Sequence, residues 1–286
     1  MPFAIASVRS PLANHRVILG ITHFAADTPG GEGHVFTDLA IDVAARTRGI
    51  HAFTADGAWR GTHLNQVQTT TGCGVITPAR RLTARRGGIT LDTHSYAAQP
   101  LPWSRRRANR EAACGGHQLW AAAGTLFEQT ITADGSSQFV ELTRHQTKRD
   151  TTRRTNGTSR HQFYARYTMA CPGHPDHNWW EPLLPVTDDT TAKFNRCEYL
   201  RIVPTTSPRH RLLYGMRQDT ESLNAQLERA FYGQRLPASA DVARSTGDEN
   251  LHHGDATKSR RAGPRGCAAL AELQLLGSGQ RARTTE

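Results

Sequence analysis

The stretch that decides the fold is IHAFTADGAWRGTHLNQVQTTTGCGVITP, residues 50 to 78. Residues 50 to 55 form a short apolar run that is typical of a strand, and the Asp56-Gly57 turn follows it. Residues 59 to 72 have apolar side chains at helical spacing and a closing glycine, which predicts a helix. Residues 73 to 78 return to a strand-like run. This order predicts part of an α/β sheet, with Asp56 at the carboxyl end of a strand, where such sheets place their ligands.

The residues before this stretch continue the same alternation. A β-branched apolar run at 14 to 24 predicts a strand, and a turn rich in Pro and Gly follows it. Residues 36 to 49 predict a helix, with Thr37 or Asp38 as its N-cap. We therefore predict that residues 1 to 78 form the first part of an α/β core.

Beyond this core the sequence becomes rich first in arginine and then in strand patterns. Two arginine clusters, ARRLTARR and SRRRANR, fall among prolines and glycines and predict basic loops. Residues 125 to 145 alternate and contain Asp134-Gly135, which predicts a hairpin. Further strands are predicted at 161 to 170 and 197 to 204. Residues 79 to 204 are thus predicted to be a β-rich insertion with basic loops.

The remaining residues divide into a helical segment and a polar tail. Within 205 to 240, residues 218 to 231 predict an amphipathic helix with a buried stripe of two leucines and a phenylalanine. Residues 241 to 286 are polar and lack periodicity, apart from a weak helical pattern at 267 to 276. We therefore expect a disordered or frameshifted tail.

The charge of the chain favours a polyanionic partner. Its 286 residues carry a formal net charge of +10, and Lys148, Lys193 and Lys258 are the only lysines among the basic residues. An arginine fork can bind two phosphate oxygens, so this excess predicts binding to a polyanion such as nucleic acid. The alternative is GC-rich codon usage, which also replaces lysine by arginine.

The cysteines and the apolar runs indicate a compartment. Five cysteines that are widely spaced and odd in number argue against a disulfide framework and fit a reducing environment. The first residues lack the basic and apolar regions of a signal peptide, and no apolar run is long enough to span a membrane. We therefore expect a cytoplasmic protein with no membrane partner.

Residues 212 to 237, LLYGMRQDTESLNAQLERAFYGQRLP, place one aromatic, one cation and two carboxylates at steps of three, four and seven. These residues are Tyr214, Arg217, Glu221 and Glu228. On a helix, Glu221 lies opposite the leucine stripe, and Glu228 lies two turns farther along the same side. An ordinary amphipathic surface helix, charged on its outer face for solubility, is the alternative explanation for this segment taken alone.

A strand-end aspartate, a β-rich interruption with basic loops and a helix with Tyr-x2-Arg-x3-Glu occur here in that order. This combination resembles the DDE transposases of bacterial insertion sequences over residues 14 to 237. The resemblance implies a partial ribonuclease-H-like mixed sheet with helices, interrupted by a β-rich insertion. It also implies DNA cleavage and strand transfer at insertion-sequence ends, with double-stranded DNA as partner and a homodimer on that DNA.

The resemblance assigns catalytic and metal-binding roles to two carboxylates. In the family, carboxylates from separate elements hold two Mg²⁺ ions, which stabilise the attacking and leaving oxygens. Asp56 and Glu221 match the second and third of these positions. The family's first aspartate lies on a strand before the segment at 14 to 24, and we expect it to be missing here, with Asp27 as the nearest substitute.

The other matched positions are DNA contacts. Tyr214 and Arg217 match residues that bind DNA-end phosphates through a phenol donor and a guanidinium fork. The family's lysine, seven residues beyond the glutamate, is Glu228 here, so the phosphate contact is lost or shifts to Arg229. The missing aspartate and the polar tail favour a truncated relic of a transposase that retains its DNA-binding surface.

A second candidate site is CPGHPDH, in which Cys171, His174 and His177 have zinc-compatible spacing and Cys197 would be the fourth ligand. Cys114-Gly-Gly-His117 is a weaker pattern. Unliganded loop residues are the alternative, because paired Cys-x2-Cys knuckles are absent from the sequence. Three hypotheses stay open: a competent transposase, a non-catalytic DNA-binding protein derived from one, and a small zinc-stabilised binding module.

Overall fold

The structure is a computed structural model that describes residues 3–9, 16–25, 27–57, 59–82, 88–91, 94–102, 117–171 and 177–218, together with 223, 226, 227, 229 and 271–274. The strands, in chain order, are β1 (Phe3–Arg9), β2 (Arg16–His23), β3 (Ala52–Ala55), β4 (Gly74–Ile76), β5 (Ile89–Leu91), β6 (His94–Tyr96), β7 (Ala98–Pro100), β8 (Gln118–Ala122), β9 (Thr125–Ile131), β10 (Ser137–Glu141), β11 (Thr143–Arg153), β12 (Ser159–Met169), β13 (His177–Pro182) and β14 (Ala271–Gln274). The helices are α1 (Gly31–Arg46), α2 (Gly61–Thr71), α3 (Thr187–Thr191), α4 (Arg196–Tyr199) and α5 (Pro208–Gly215). The protein is therefore mixed α/β, with several small sheets and few helices.

The largest described sheet has five strands in the order β2-β1-β14-β3-β4. β1 is antiparallel to β2 and parallel to β14, β14 is antiparallel to β3, and β3 is parallel to β4. It follows that β2, β3 and β4 run in the same direction, so their carboxyl ends share one edge of the sheet. The strand, helix and strand predicted over residues 50 to 78 are confirmed as β3, α2 and β4.

Helix α1 begins earlier than the sequence predicts. We expected a start near Thr37 or Asp38, but the helix begins at Gly31, after a left-handed Gly30 at φ 80°. Thr37 lies inside the helix, and its hydroxyl donates to the Gly33 carbonyl oxygen at 2.7 Å. The N-cap prediction was wrong because two glycines upstream allow the chain to turn into the helix without a side-chain cap.

The β-rich part consists of a four-stranded sheet, β10-β9-β8-β7, a three-stranded sheet, β11-β12-β13, and the β5-β6 pair. The predicted hairpin is confirmed as β9 and β10, with Gly135 in its turn at φ 81°. Hydrogen bonds from Thr132 and Ser136 to the Asp134 carboxylate hold this turn and lower the pKa of Asp134 to about 2. The strand predicted at 161 to 170 is confirmed as β12.

The strand predicted at 197 to 204 was wrong. Helix α4 occupies the start of this segment, and only Leu200 forms an isolated bridge, to Gly124. The reason lies in Arg196, whose guanidinium is buried and pairs with Asp189 and Glu181. A helical turn at this point keeps that side chain inside the protein, which the apolar pattern of the sequence does not reveal.

The weak helix predicted at 267 to 276 was also wrong, because Ala271–Gln274 is the strand β14. The expectation of disorder for 241 to 286 therefore fails at these four residues. β14 pairs with β1 on one side and β3 on the other, so backbone hydrogen bonds to two strands override a weak helical preference. The rest of this tail lies outside the described residues.

One hydrophobic core joins the five-stranded sheet to the β-rich part. Its members include Phe53 from β3, Trp59 and Leu64 from the loop before α2 and α2 itself, and Leu126 and Tyr167 from the β-rich part. Trp59 is 2% exposed and meets the Phe53 ring edge-on at 6.2 Å. Helix α2 contacts β12, so the two parts pack directly against each other.

Candidate functional site

Asp56 directly follows β3 and lies at the carboxyl edge of the five-stranded sheet. β3 and β4 are parallel, with Thr54 opposite Ile76, so Thr77 lies at the same edge. The Asp56 side chain is half-buried. The prediction that Asp56 lies at a strand end, on the edge where α/β sheets bind ligands, is therefore confirmed as to position.

Helix α5 reaches the same edge. It packs against β3 and β4, with Leu213 in an apolar cluster that also contains Ile76 and Val203. Its start is fixed by sequence, since the Ser207 hydroxyl accepts from the His210 amide at 3.1 Å and Pro208 occupies the first turn. Helix α5 thus lies beside the strands that end just before Asp56 and Thr77.

His210 couples this helix to the sheet edge. Its Nε2 lies 3.2 Å from the Thr77 carbonyl oxygen, so Nε2 carries the proton and donates. Burial lowers the pKa of His210, and the charge of Arg201 adds to this, which favours the neutral ring. The orientation of this ring is therefore fixed by a buried hydrogen bond.

Tyr214 and Arg217 lie next to the fixed ring of His210. The Tyr214 ring stacks on His210 with centroids 5.4 Å apart and an interplanar angle of 18°. The Arg217 guanidinium lies 5.7 Å from the Tyr214 ring centroid, and its Nη1 donates to the Tyr214 hydroxyl at 3.4 Å. A phenol and a guanidinium are thus held side by side, as binding of one phosphate by both would require.

The other predicted site residues are described only in part. Arg217 and Gln218 are helical beyond α5, as are Leu223, Gln226, Leu227 and Arg229, in agreement with the helix predicted at 218 to 231. Arg229 is exposed. Glu221 and Glu228 lie outside the described residues, so the distance between Asp56 and Glu221 remains a prediction.

Asp27 does not lie near Asp56. It is exposed and follows β2, which shares the carboxyl edge with β3 but lies three strand positions away. Three strand spacings amount to about 14 Å, whereas two metal ions in a shared site are about 4 Å apart. Among the described residues, no group of three or more His, Cys, Asp or Glu is arranged to hold a metal ion. The described carboxylates therefore do not complete a Mg²⁺ site.

The structure also contains a basic surface that the sequence analysis did not locate. β11 and β12 form a long hairpin, and we call residues 143 to 169 the basic hairpin. Its sequence contains seven basic residues, namely Arg144, Lys148, Arg149, Arg153, Arg154, Arg160 and Arg166, and one acidic residue, Asp150. β11 is exposed along nearly its whole length. The hairpin therefore presents an almost uniformly positive surface to solvent.

The base of the basic hairpin is tied to the rest of the protein. Arg149 donates to the carbonyl oxygen of Gly72, the residue that follows α2, at 2.6 Å. Arg144 donates to the carbonyl oxygens of Arg201 and Ile202 at 2.8 and 2.6 Å. Lys148 lies 5.0 Å from the ring centroid of Trp180, which is partly exposed. These contacts hold the hairpin from its base to Arg149, midway along β11, and residues 150 to 160 are exposed.

Three arginines lie next to the turn at the far end, and we call Arg153, Arg154 and Arg160 the tip arginines. All three are exposed, and within the described part of the chain none of their side chains makes a hydrogen bond or an ion pair. The turn between them has Gly157 at φ 80°. The arginine clusters at 79 to 86 and 104 to 110 predict basic loops instead, and most of these residues lie outside the described part of the chain. Charged residues occur on both faces of the strand β11, and this pattern in the sequence could have revealed an exposed hairpin.

The predicted zinc ligand Cys197 is a buried thiol with a hydrogen-bond partner of its own. Cys197 is 1% exposed, its Sγ donates to the Leu183 carbonyl oxygen at 3.8 Å, and burial raises its pKa to about 12. A thiol in this state is a poor metal ligand. Cys171 and His177 lie instead beside His117, and His174 lies outside the described residues.

In comparisons with known proteins, no family model, no curated protein and no solved structure matches the chain. The relation to DDE transposases therefore remains a prediction that rests on the residues themselves. Across the described residues, every helix falls short of the length and apolar character that a membrane crossing requires.

Proposed function

We propose that this protein is a transposase-type protein that binds double-stranded DNA through its basic hairpin and through Tyr214 and Arg217. The observation that carries the proposal is the exposed basic hairpin, whose tip arginine side chains make no hydrogen bond or ion pair within the described part of the chain. Charged side chains that have no protein partner at the end of a rigid element are available to an external anion.

The shape of the hairpin suits duplex DNA. A two-stranded ribbon fits the major groove, which is about 12 Å wide. Seven basic residues and one acidic residue give residues 143 to 169 a net charge of 7 − 1 = +6. Binding to phosphates would release counterions, so affinity would fall steeply with salt.

Tyr214 and Arg217 supply a second contact to the same ligand. Their hydroxyl and guanidinium lie together on a segment that His210 holds against the sheet edge. Preorganised donors bind an anion with a smaller entropic cost than mobile ones. This arrangement supports the role that the resemblance gives to these two residues.

Strand cleavage is the second candidate function, and Asp56 is the observation that favours it. This carboxylate lies at the carboxyl edge of a sheet in which an antiparallel pair, β1 and β2, accompanies a parallel pair, β3 and β4. Such a mixed sheet supports a ribonuclease-H-like fold. Cleavage would require Glu221 and one more carboxylate beside Asp56.

The test is DNA binding measured by fluorescence anisotropy with a short dye-labelled duplex at several salt concentrations. The variant is Arg153→Ala/Arg154→Ala, and the control is Arg48→Ala/Lys193→Ala, which removes the same charge from exposed positions elsewhere. Each lost phosphate contact lowers the slope of log K against log salt by about 0.9, so the hairpin variant should lose about 1.8 and the control little.

The proposal fails if the unmodified protein shows no salt-dependent binding, or if both variants lose affinity equally. Two duplexes of unrelated sequence should give similar affinities, because phosphate contacts carry no base information. A duplex-cleavage assay with Mg²⁺, comparing the unmodified chain with Asp56→Asn, separates the second candidate from DNA binding alone.

A further inference from the structure

Arg201 is an arginine that the fold buries without a carboxylate partner. It lies two residues beyond α4 and is 3% exposed, about as deeply buried as Arg196 at 2%. Arg196 pairs with two carboxylates, whereas Arg201 forms no ion pair within the described part of the chain. An arginine side chain keeps its proton in proteins, so a positive charge remains buried at this position.

Most of the donors on the Arg201 guanidinium are also unused. Nη1 donates to the carbonyl oxygen of the adjacent Leu200 at 3.5 Å, which is longer than the usual limit of about 3.2 Å. Nε is buried, and neither Nε nor Nη2 makes a hydrogen bond to any described residue. Arg144, by contrast, donates to two backbone carbonyl oxygens at 2.8 and 2.6 Å, as expected of an arginine that only supports the fold.

The charge of Glu198 acts on Arg201, but the Glu198 carboxylate has other partners. Its Oε1 accepts from Arg60 Nη1 at 3.3 Å, and its Oε2 accepts from the Gly61 amide at 3.2 Å. Both oxygens are therefore bound at the start of α2. Arg60 and Glu198 balance each other, and the charge of Arg201 is left without a counterion among the described residues.

The other groups around Arg201 do not compensate for its charge. Burial lowers the pKa of Arg201, Glu198 opposes this effect, and the charge of Arg60 adds to it. The positive charge of Arg201 in turn helps to lower the pKa of His210, after burial of that ring. Thr77, whose carbonyl oxygen accepts from His210, has a buried hydroxyl that lacks a partner in the described structure. A buried cation without a counterion is strongly unfavourable, so an anion here would be stabilising.

The burial of Arg201 also limits the kind of anion. A backbone phosphate of DNA has a sugar on each side and can reach the exposed tip arginines, but not a guanidinium that is 3% exposed. A free oxyanion such as inorganic phosphate is compact. Nε and Nη2 lie along one edge of the guanidinium, and such a pair of N–H groups binds two oxygens of one phosphate.

We propose that Arg201 is the cation of an internal site for a free inorganic oxyanion of the phosphate or sulfate type, beside α4, α5 and the start of α2. Nε and Nη2 bind two oxygens of the anion, and the anion balances the buried charge. Because these three elements meet at Arg201, the bound anion stabilises their packing. The proposal does not rest on DNA binding.

The test uses the full chain in a buffer free of phosphate and sulfate, at constant ionic strength. In a calorimetric titration, inorganic phosphate should bind at about one per chain, and it should raise the unfolding temperature until the site is saturated. Arg201→Met removes the fork and should weaken phosphate binding by about 10- to 100-fold. Arg209→Met is the control, because it removes the same charge from an exposed position on α5 and should leave phosphate binding unchanged.

Stability without phosphate gives a second measurement. Arg201→Met removes an unpaired buried charge, so it should be at least as stable as the unmodified chain in phosphate-free buffer and less stable at saturating phosphate. If this variant does not fold, Arg201→Lys keeps the charge but not the fork, and it should bind phosphate more weakly than the unmodified chain.

Three results would overturn the proposal. The first is an unmodified chain that shows no saturable phosphate binding, and the second is equal phosphate affinity in the unmodified chain and the Arg201 variants. A stabilisation that rises without limit and equally in all variants is the general effect of phosphate salts and counts as the first result. The third is displacement of bound phosphate by a short DNA duplex, which would assign Arg201 to DNA binding. DNA affinity is measured separately by its salt slope.

Discussion

Arg196 and the tip arginines put the same side chain to opposite uses. Arg196 is 2% exposed, and its guanidinium forms two hydrogen bonds to Asp189 at 2.8 Å and one to Glu181 at 2.5 Å. Arg153, Arg154 and Arg160 are exposed and, among the described residues, make no such contact. All four arginines contribute equally to the net charge of the chain. Only burial and partners separate an arginine that holds the fold from one that is available to a ligand.

The largest expected effect is that of Arg196→Leu. This change leaves Glu181 and Asp189 buried without their cation, and removing one partner of a buried ion pair costs about 3–5 kcal/mol. We expect chemical denaturation to show a loss of this size. Arg196→Lys, which keeps the charge but not the two-pronged geometry, should lose less. A Leu variant as stable as the unmodified chain would remove the contrast with the tip arginines.

This contrast also explains what the sequence could predict. The strand, helix and strand at 50 to 78 follow from local patterns, because apolar periodicity and glycine positions determine them. The buried role of Arg196 depends on Glu181 and Asp189, which lie 15 and 7 residues away, and no local pattern marks the trio. The strand at 197 to 204 was predicted wrongly because these partners of Arg196 lie outside the local sequence pattern.

The candidate sites divide in the same way. Asp56, Tyr214 and Arg217 were predicted because each belongs to a motif within one element. The meeting of His117 with Cys171 depends on two sheets packing together, which sequence spacing does not determine. The zinc prediction accordingly named Cys197, whose thiol instead donates to the Leu183 carbonyl oxygen.

Glycine substitutions should sharpen the comparison between a packed part of the basic hairpin and its tip. Gly72, which contacts the hairpin at Arg149 and His161, has φ 68°, and an added Cβ would lie 2.9 Å from the His161 ring. Gly157, in the tip turn, has φ 80° with nothing within 4 Å. We expect Gly72→Ala to cost about 2 kcal/mol and Gly157→Ala about 1 kcal/mol, because both bear the left-handed backbone penalty and only the first adds a clash. Equal losses in thermal or chemical unfolding would show that the contact of Gly72 with the hairpin is no better packed than the tip.

A smaller, pH-dependent effect is expected at His210. Its pKa is lowered in the fold by burial and by the charge of Arg201, so protonation favours the unfolded chain. Stability is therefore complete above the unfolded pKa of about 6.5 and falls as the pH drops through the lower folded value. His210→Gln, which does not titrate, should lose less stability than the unmodified chain between about pH 7 and pH 5. An identical fall in both proteins would assign the pH dependence to the other histidines.

The smallest effect on stability is expected for Arg153→Ala/Arg154→Ala. Exposed side chains with no described partner contribute little to folding, so the unfolding free energy should change by less than about 0.5 kcal/mol. The same variant should lose DNA affinity, because its two charges are available to phosphates rather than to protein groups. A large loss of stability would mean that the tip is packed against part of the chain and is not a free surface. Unchanged stability with reduced DNA affinity would complete the contrast with Arg196, in which charge serves the fold alone.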